Sequence, residues 1–241
     1  MRATPVGVFI LFAAAIASAA PATLPAGSAT KPGVDLSSPR ATLLSVYTAM
    51  RAGDVAGVKA CLVFDDAEVG EVFELNVAQV CAPLRLMHAM EGKFGEAGRK
   101  PFDTSVEKSI DEMLVRAGKV DIHVEGDTAV VGEKAKVNPN AETELSGVML
   151  RRDAGVAGEE WRIVASTFPE SGGEVTPGQL KLMKSMRDAT VSACEETMAR
   201  LERGEFHSAD EAYAAYQKLV HSTARAAVKG PENPATTREG K

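Results

Sequence analysis

The chain has 241 residues, 45% of them hydrophobic and 25% charged, which is typical of a globular protein with a core of its own. The formal net charge is -6, and the longest basic runs are pairs such as Arg99-Lys100 and Arg151-Arg152. Because binding to nucleic acid needs a concentrated basic surface, this charge argues against a nucleic-acid partner.

The N-terminus has the pattern of a secretory leader. Arg2 precedes an apolar run from Val6 to Ala17, and Ala17-Ser18-Ala19 supplies the small residues before a cleavage site. The run is shorter than the ~20 residues that span a bilayer, so a cleaved leader over residues 1–19 is favoured over an uncleaved anchor. We therefore expect an exported protein, periplasmic or secreted, with no membrane contact after cleavage.

The first folded segment is predicted to be helical. Residues 20–37 are rich in Pro, Ala, Gly and Ser and are typical of a flexible linker. Ser38 and Pro39 then form a helix start, and the next apolar residues recur on one helical face: Leu43, Val46, Tyr47 and Met50. A short second helix is predicted from Asp54 to Val63.

Two further helices are predicted before the sheet. The first begins at Asp65-Asp66, where Asp65, Asp66, Glu68, Glu71 and Glu74 suit the positive end of the helix dipole. Pro83 should either kink this helix or open a new one, because proline lacks a backbone donor. Thr104 and Glu107 have the spacing of a capping box, which predicts a helix that ends at Gly118.

The segment from Gly118 to Thr167 contains alternating apolar and polar residues separated by turn formers, the pattern of strands with one buried face. Three short connections between the runs predict a four-stranded antiparallel meander. Trp161 is expected to pack in the core or at its rim. The predicted strands are Lys119–Glu125, Thr128–Val137, Glu144–Arg152 and Glu160–Thr167.

The C-terminal part is predicted to be a helical hairpin over residues 178–229, followed by a disordered tail over 230–241. Its helices run from Gln179 to Arg203 and from Ser208 to Val228. The first is expected to bury Leu182, Met183, Met186, Met198 and Leu201, and the second Ala212, Tyr213, Tyr216 and Leu219. The fold class is therefore α+β: N-terminal helices packed on a curved antiparallel four-stranded meander over residues 38–168, followed by the hairpin.

The order of elements resembles a known superfamily. A helix that ends in Tyr-Thr-Ala-Met-Arg-Ala-Gly-Asp, a Phe-Asp-Asp-Ala step and a meander that closes on Glu-Glu-Trp-Arg-Ile-Val-Ala-Ser are similar to the SnoaL-like, ketosteroid-isomerase-like proteins with the nuclear-transport-factor fold. The resemblance covers about residues 38–167. It implies a cone in which a curved sheet wraps around the first helix and encloses a pocket.

The resemblance does not carry over the catalytic residues of the isomerase branch. The position of its tyrosine is Val46, and Tyr47 is displaced by one residue, which is ~100° around a helix. The position of its general base is Gly70, with Glu71 the nearest carboxylate, and the third acid has no match. We assign no catalytic residue, and we take the pocket candidates implied by the cone to be Tyr47, Met50, Asp121, His123 and Met149.

Other site chemistry is sparse. The four histidines lack metal-ligand spacing, so no metal and no cofactor is predicted. Asp121 and His123 share a strand face and could line the pocket or face solvent. Of the three cysteines, Cys61 and Cys81 could form a disulfide and leave Cys194 over, or all three could be buried thiols.

Three functions follow from these expectations. The first is an exported, non-catalytic binding or interaction module whose pocket accepts a small apolar ligand. The second is a small-molecule isomerase, dehydratase or cyclase that uses Tyr47 with a nearby carboxylate. The third is a structural homodimer with its interface on Met183, Met186 and Tyr216.

Overall fold

The structure is a computed structural model that describes residues 33–132, 147–153, 160–167 and 175–229. The predicted leader, most of the linker and the tail lie outside the described residues. The helices are α1 (Pro39–Arg51), α2 (Val55–Ala60), α3 (Ala67–Phe94), α4 (Glu96–Arg99), α5 (Ser105–Lys119), α6 (Pro177–Glu202) and α7 (Ala209–Lys229). The strands are β1 (Leu62–Val63), β2 (Ile122–Glu125), β3 (Thr128–Val131), β4 (Met149–Asp153) and β5 (Glu160–Val164), and a 3-10 turn follows at Ala165–Thr167.

The described strands form one mixed sheet of five strands in the order β1-β5-β4-β3-β2. The α+β class is correct, but the predicted four-stranded antiparallel meander is wrong. The additional strand is β1, which pairs parallel with β5 through Leu62 opposite Ile163 and Val63 opposite Val164. A strand of two residues is too short to show the alternating apolar and polar pattern that predicts strands. The apolar spacing of residues 54–63 predicts a helix instead. Since the partner strand lies far along the chain, local pattern gives no signal for this pair.

The other strand pairs are antiparallel. The predicted hairpin of β2 and β3 is confirmed, with Glu125 opposite Thr128 across the turn at Gly126, whose φ is 59°. Strand β4 pairs with both β3 and β5. The predicted strand portions at 133–137 and 144–146 lie outside the described residues.

The described residues form two compact units. The first, here the sheet unit, takes its residues from 1–81 and 103–173 and contains every strand. The second, here the helical unit, takes its residues from 82–102 and 174–241. Helix α3 is continuous across the division between Cys81 and Ala82, and it holds Pro83 in its interior.

The sheet unit is built around α1. Ser38 caps the helix by accepting a hydrogen bond from the Ala41 N–H, as predicted, and Pro39 is the first helical residue. Thr42 is buried and its hydroxyl donates to the carbonyl of Trp161 in β5 at 2.9 Å. Trp161 is itself buried, which confirms its predicted packing role. The first helix is thus fixed to the sheet by apolar burial and by one long-range hydrogen bond.

The helical unit is organised by an apolar core. Helix α6 starts two residues earlier than predicted, because Thr176 and Gln179 form a reciprocal capping box that satisfies the first backbone donors. The two hairpin helices pack along each other, and α3 contributes its C-terminal half to the same core. The buried residues of this core are Ala82, Leu86, Met90, Cys194, Leu201, Phe206, Ala209 and Ala212.

Candidate functional site

Two of the pocket candidates lie on α1 and are buried. Tyr47 retains 2% of its accessible surface and Met50 is also in the core. Glu71, the nearest carboxylate in the sequence comparison with the isomerase branch, is exposed on α3. Tyr47 therefore belongs to the packed interior of the sheet unit, whereas Glu71 belongs to its surface.

The other three candidates lie on the opposite face of the sheet from its buried side chains. His123 pairs with Val130 and Val130 pairs with Met149, and paired residues of antiparallel strands point to the same face. The alternating positions Ala129 and Leu150 are fully buried. His123 and Met149 are exposed, and so is Asp121, which precedes β2. The sheet therefore brings His123 and Met149 to one exposed surface.

A charged cluster that the sequence reading missed joins α1 to α5. The Arg51 guanidinium donates from Nε to Asp111 and from Nη2 to Asp111 Oδ2 at 3.3 Å. The same Nη2 lies 3.5 Å from Oε1 of Glu107, a residue that is only 1% exposed. Two carboxylates thus share one guanidinium, which compensates the charge of the buried Glu107 carboxylate.

The sequence indicates this cluster through the spacing of Glu107 and Asp111, although the spacing of Thr104 and Glu107 predicts a capping box instead. Glu107 fits a capping box with Thr104, but Thr104 makes no side-chain capping bond and Glu107 is buried against Arg51. Glu107 and Asp111 are spaced i and i+4, so they share one face of α5. That spacing, together with a basic residue at the end of α1, is the pattern that could have revealed the contact.

A second arginine of α1 caps the other end of α5. The Arg40 guanidinium donates to the carbonyls of Ala117 at 3.0 Å, Gly118 at 2.5 Å and Val120 at 2.7 Å. The last carbonyls of a helix have no intrahelical donor, so these bonds satisfy groups that would otherwise need water. The two arginines fix α1 and α5 antiparallel.

All three cysteines are buried as thiols. Burial raises the pKa of the Cys61 thiol to about 12, and its Sγ donates to the Gly57 carbonyl at 3.3 Å. Burial likewise raises the pKa of Cys194 to about 12, although a hydrogen bond from the Tyr216 hydroxyl acts in the opposite direction. Such neutral thiols are poor nucleophiles and poor metal ligands. The disulfide between Cys61 and Cys81 stays a prediction.

The main exposed apolar feature of the helical unit is on α6. Leu182 is 47% exposed and Met186 is 42% exposed, so the prediction that both are buried is wrong. They continue the same helical stripe as Ala189 and Ala193, which are buried. The core-facing side of α6 is thus covered over its C-terminal half and uncovered over its N-terminal half. We call Leu182 and Met186 the open face of α6.

The described residues contain neither a candidate metal site nor a candidate membrane span. They contain no group of three or more His, Cys, Asp or Glu residues that could hold a metal ion. In this part of the chain, no helix combines the length and the apolar character needed to cross a membrane. Comparisons with family models, curated proteins and solved structures found no match.

Proposed function

We propose that this protein is an exported, non-catalytic binding module and that the open face of α6 is its binding surface. The observation that carries the proposal is the uncovered half of the α6 stripe. Burying an apolar side chain contributes roughly 25 cal/mol per Å² removed from water, so leaving Leu182 and Met186 in solvent forgoes stability. Exposed apolar residues that continue a core stripe are typical of an interaction surface.

The catalytic alternative has less support. It needs Tyr47 beside a carboxylate that can exchange protons with a substrate. Glu71 is exposed while Tyr47 is buried, and the buried carboxylate of Glu107 is bound by Arg51. Asp121 and His123 are also on the solvent side. These placements favour structural roles for the side chains that an enzyme would use.

The homodimer alternative has less support for a different reason. Tyr216, one of its three interface residues, packs against the buried core of the helical unit that contains Cys194. Stable interfaces bury ~800 Å² per partner. Two side chains that are each less than half exposed fall far short of that area. The open face suits a partner that gains affinity from other contacts as well.

Native mass spectrometry of the exported protein tests the proposal. The wild type should carry a bound species that is lost from a Leu182→Gln/Met186→Gln variant. A matched control is Val115→Gln/Val124→Gln, which changes two valines of the sheet unit with 46% and 48% exposure. The control should keep the species. Equal occupancy in the wild type and the α6 variant, including none in both, would overturn the proposal.

A further inference from the structure

The sulfur-containing side chains of this protein differ widely in exposure. The chain has three cysteines and nine methionines, and all three cysteines are buried. In the described part of the chain, Met186 is 42% exposed and Met149 is 37% exposed. The remaining methionines of this part are half-buried at Met183 and Met198 and buried at Met50, Met87, Met90 and Met113. A reagent in solvent therefore reaches two thioethers before any other described sulfur atom.

The cysteines compete poorly for an oxidant. Peroxides react with the thiolate form of cysteine, and their access to a buried sulfur is restricted. Burial raises the pKa of Cys61 and of Cys194 to about 12, so both are neutral thiols at physiological pH. Cys81 is buried as well. Oxidation by a peroxide should consequently begin at the exposed methionines.

We propose that Met186 is an oxidation site through which a peroxide converts the open face of α6 from an apolar to a polar surface. The inference rests on the proposed binding role of the open face and adds its regulation. The Met186 sulfur donates an electron pair to one oxygen of hydrogen peroxide, the O–O bond breaks as the S–O bond forms, and the second oxygen leaves as water. The sulfur is thereby oxidised by two electrons to the sulfoxide, and the peroxide is reduced to water.

The position of Met186 determines what its oxidation does to the open face. Met186 and Leu182 are four residues apart and lie on one side of α6. A sulfoxide at Met186 therefore replaces one of the two apolar side chains that a partner would bury there. Met149, in β4, has similar exposure and the same chemistry but belongs to the exposed face of the sheet. Met149 is thus an internal control for the effect of Met186.

The exposure of Met186 also allows the oxidation to occur without unfolding. A sulfoxide at a buried methionine such as Met90, in the core of the helical unit, would bury a polar group at a cost in stability. Water can solvate a sulfoxide at Met186, so α6 keeps its fold and only its surface changes. A methionine sulfoxide reductase reverses the step, in which the oxygen leaves as water while a dithiol is oxidised to a disulfide. The open face is thus a reversible, oxidant-sensitive surface.

Peptide mapping of the full chain after graded treatment with hydrogen peroxide tests the site. Met186 and Met149 should become sulfoxides at comparable rates. Met87 and Met90 should react at least roughly tenfold more slowly, because a fully buried side chain meets solvent only through local opening. If Met186 reacted as slowly as Met87 and Met90, it would not be the oxidation site.

Retention on a phenyl column tests the change of surface. In a Met149→Leu background, Met186 is the exposed methionine that remains among the described residues, and leucine keeps the volume and apolar character of methionine. Peroxide should shorten the retention of this variant, and sulfoxide reductase with dithiothreitol should restore it. The Met149→Leu/Met186→Leu variant should not change. Equal shortening in both variants would place the reactive group elsewhere and overturn the proposal.

Native mass spectrometry of the peroxide-treated protein connects the site to binding. The wild type and Met149→Leu should lose affinity for the bound species by roughly fivefold, the contribution expected from burying the exposed part of one methionine side chain. Met186→Leu should retain the species. If the species stays bound when Met186 is oxidised, the regulation is wrong and the binding role stands. If the untreated protein carries no species, the binding role is wrong, and its regulation with it.

Discussion

The two units of the molecule satisfy their buried polar groups in different ways. In the sheet unit, Arg51, Arg40 and Thr42 all bond to residues far along the chain. In the helical unit, the buried Thr197 hydroxyl donates to the carbonyl of Ala193, one turn back in its own helix, at 2.7 Å. The core around it is otherwise built from apolar side chains. Among the fully buried polar side chains of the described residues, Thr42 and Glu107 of the sheet unit therefore contact distant residues, whereas Thr197 of the helical unit bonds within its own helix. The helical unit also has a partly buried long-range contact, in which the Lys93 ammonium donates to the Leu201 carbonyl at 2.6 Å.

This difference predicts where single substitutions do most damage. A buried polar group that loses a long-range partner is left with its full desolvation cost. A helix carbonyl that loses a donor from a nearby side chain still accepts from the backbone N–H of its own helix. The sheet unit should consequently be the more sensitive to removal of one polar side chain. Arg51→Met, Thr42→Val and Thr197→Val test this expectation in order of decreasing effect.

The largest effect is expected from Arg51→Met. The change leaves the Glu107 carboxylate, which is almost fully buried, without the guanidinium that compensates its charge. Breaking a buried pair by removing one partner costs 3–5 kcal/mol, and we expect about 3 kcal/mol because Arg51 and Asp111 are partly exposed. Urea unfolding followed by the fluorescence of Trp161, the only tryptophan, measures the loss in the sheet unit.

A double variant provides the control. Arg51→Met/Glu107→Met replaces both partners by apolar side chains of similar length, so no charge remains buried. It should be more stable than Arg51→Met alone. A double variant as unstable as the single one would show that Glu107 is not the residue Arg51 compensates.

The difference between local and distant contacts also explains which elements the sequence predicts correctly. The start of α1, the β2–β3 hairpin and the two hairpin helices follow from caps, turns and apolar periodicity, all of which act within a few residues. Strand β1 depends on a partner about a hundred residues away, which no local pattern encodes. The sequence predicts a capping role for Glu107 for the same reason, since its partner Arg51 is distant in sequence.

The candidate site was harder to predict than the fold. Helical periodicity correctly indicates which side of α6 is apolar, but the same residues can be covered or left in solvent. Leu182 and Met186 were expected to be buried because periodicity identifies an apolar side of a helix and does not show whether another element covers it. Whether Asp121, His123 and Met149 line a pocket depends on which face of the sheet is concave. Register, which is a tertiary property, decides the face on which His123 and Met149 lie.

A smaller effect, common to both units, is expected at alkaline pH. The pKa values of Cys61 and Cys194 are raised to about 12 in the folded protein from an ordinary value of 9.0, chiefly by burial. The unfolded chain therefore ionises first, so the stabilisation is complete below pH 9.0 and is lost as the pH rises toward about 12. Cys61→Ala and Cys194→Ala should each show a shallower decline in Tm across this range than the wild type. Unchanged slopes in both variants would contradict the assignment.

The smallest effects are expected from a matched pair of threonines, one in each unit. Thr42 and Thr197 are both fully buried, and valine has nearly the same shape. Thr42→Val removes the hydroxyl that lies 2.9 Å from the Trp161 carbonyl and 3.1 Å from the Ser38 carbonyl one turn back, and we expect a loss of about 1 kcal/mol in the free energy of unfolding. Thr197→Val removes a hydroxyl whose acceptor, the Ala193 carbonyl, lies in the interior of α6 and keeps its helical N–H donor.

For Thr197→Val we therefore expect a change within about 0.5 kcal/mol, since the valine also gains the burial of a methyl group. Denaturation of the two variants under identical conditions measures the difference directly, with circular dichroism following the helices and Trp161 fluorescence following the sheet unit. Equal losses in the two variants would show that a distant acceptor is worth no more than a local one in this chain. A greater loss for Thr42→Val would show that the contact between α1 and β5 depends on this hydrogen bond as well as on apolar packing.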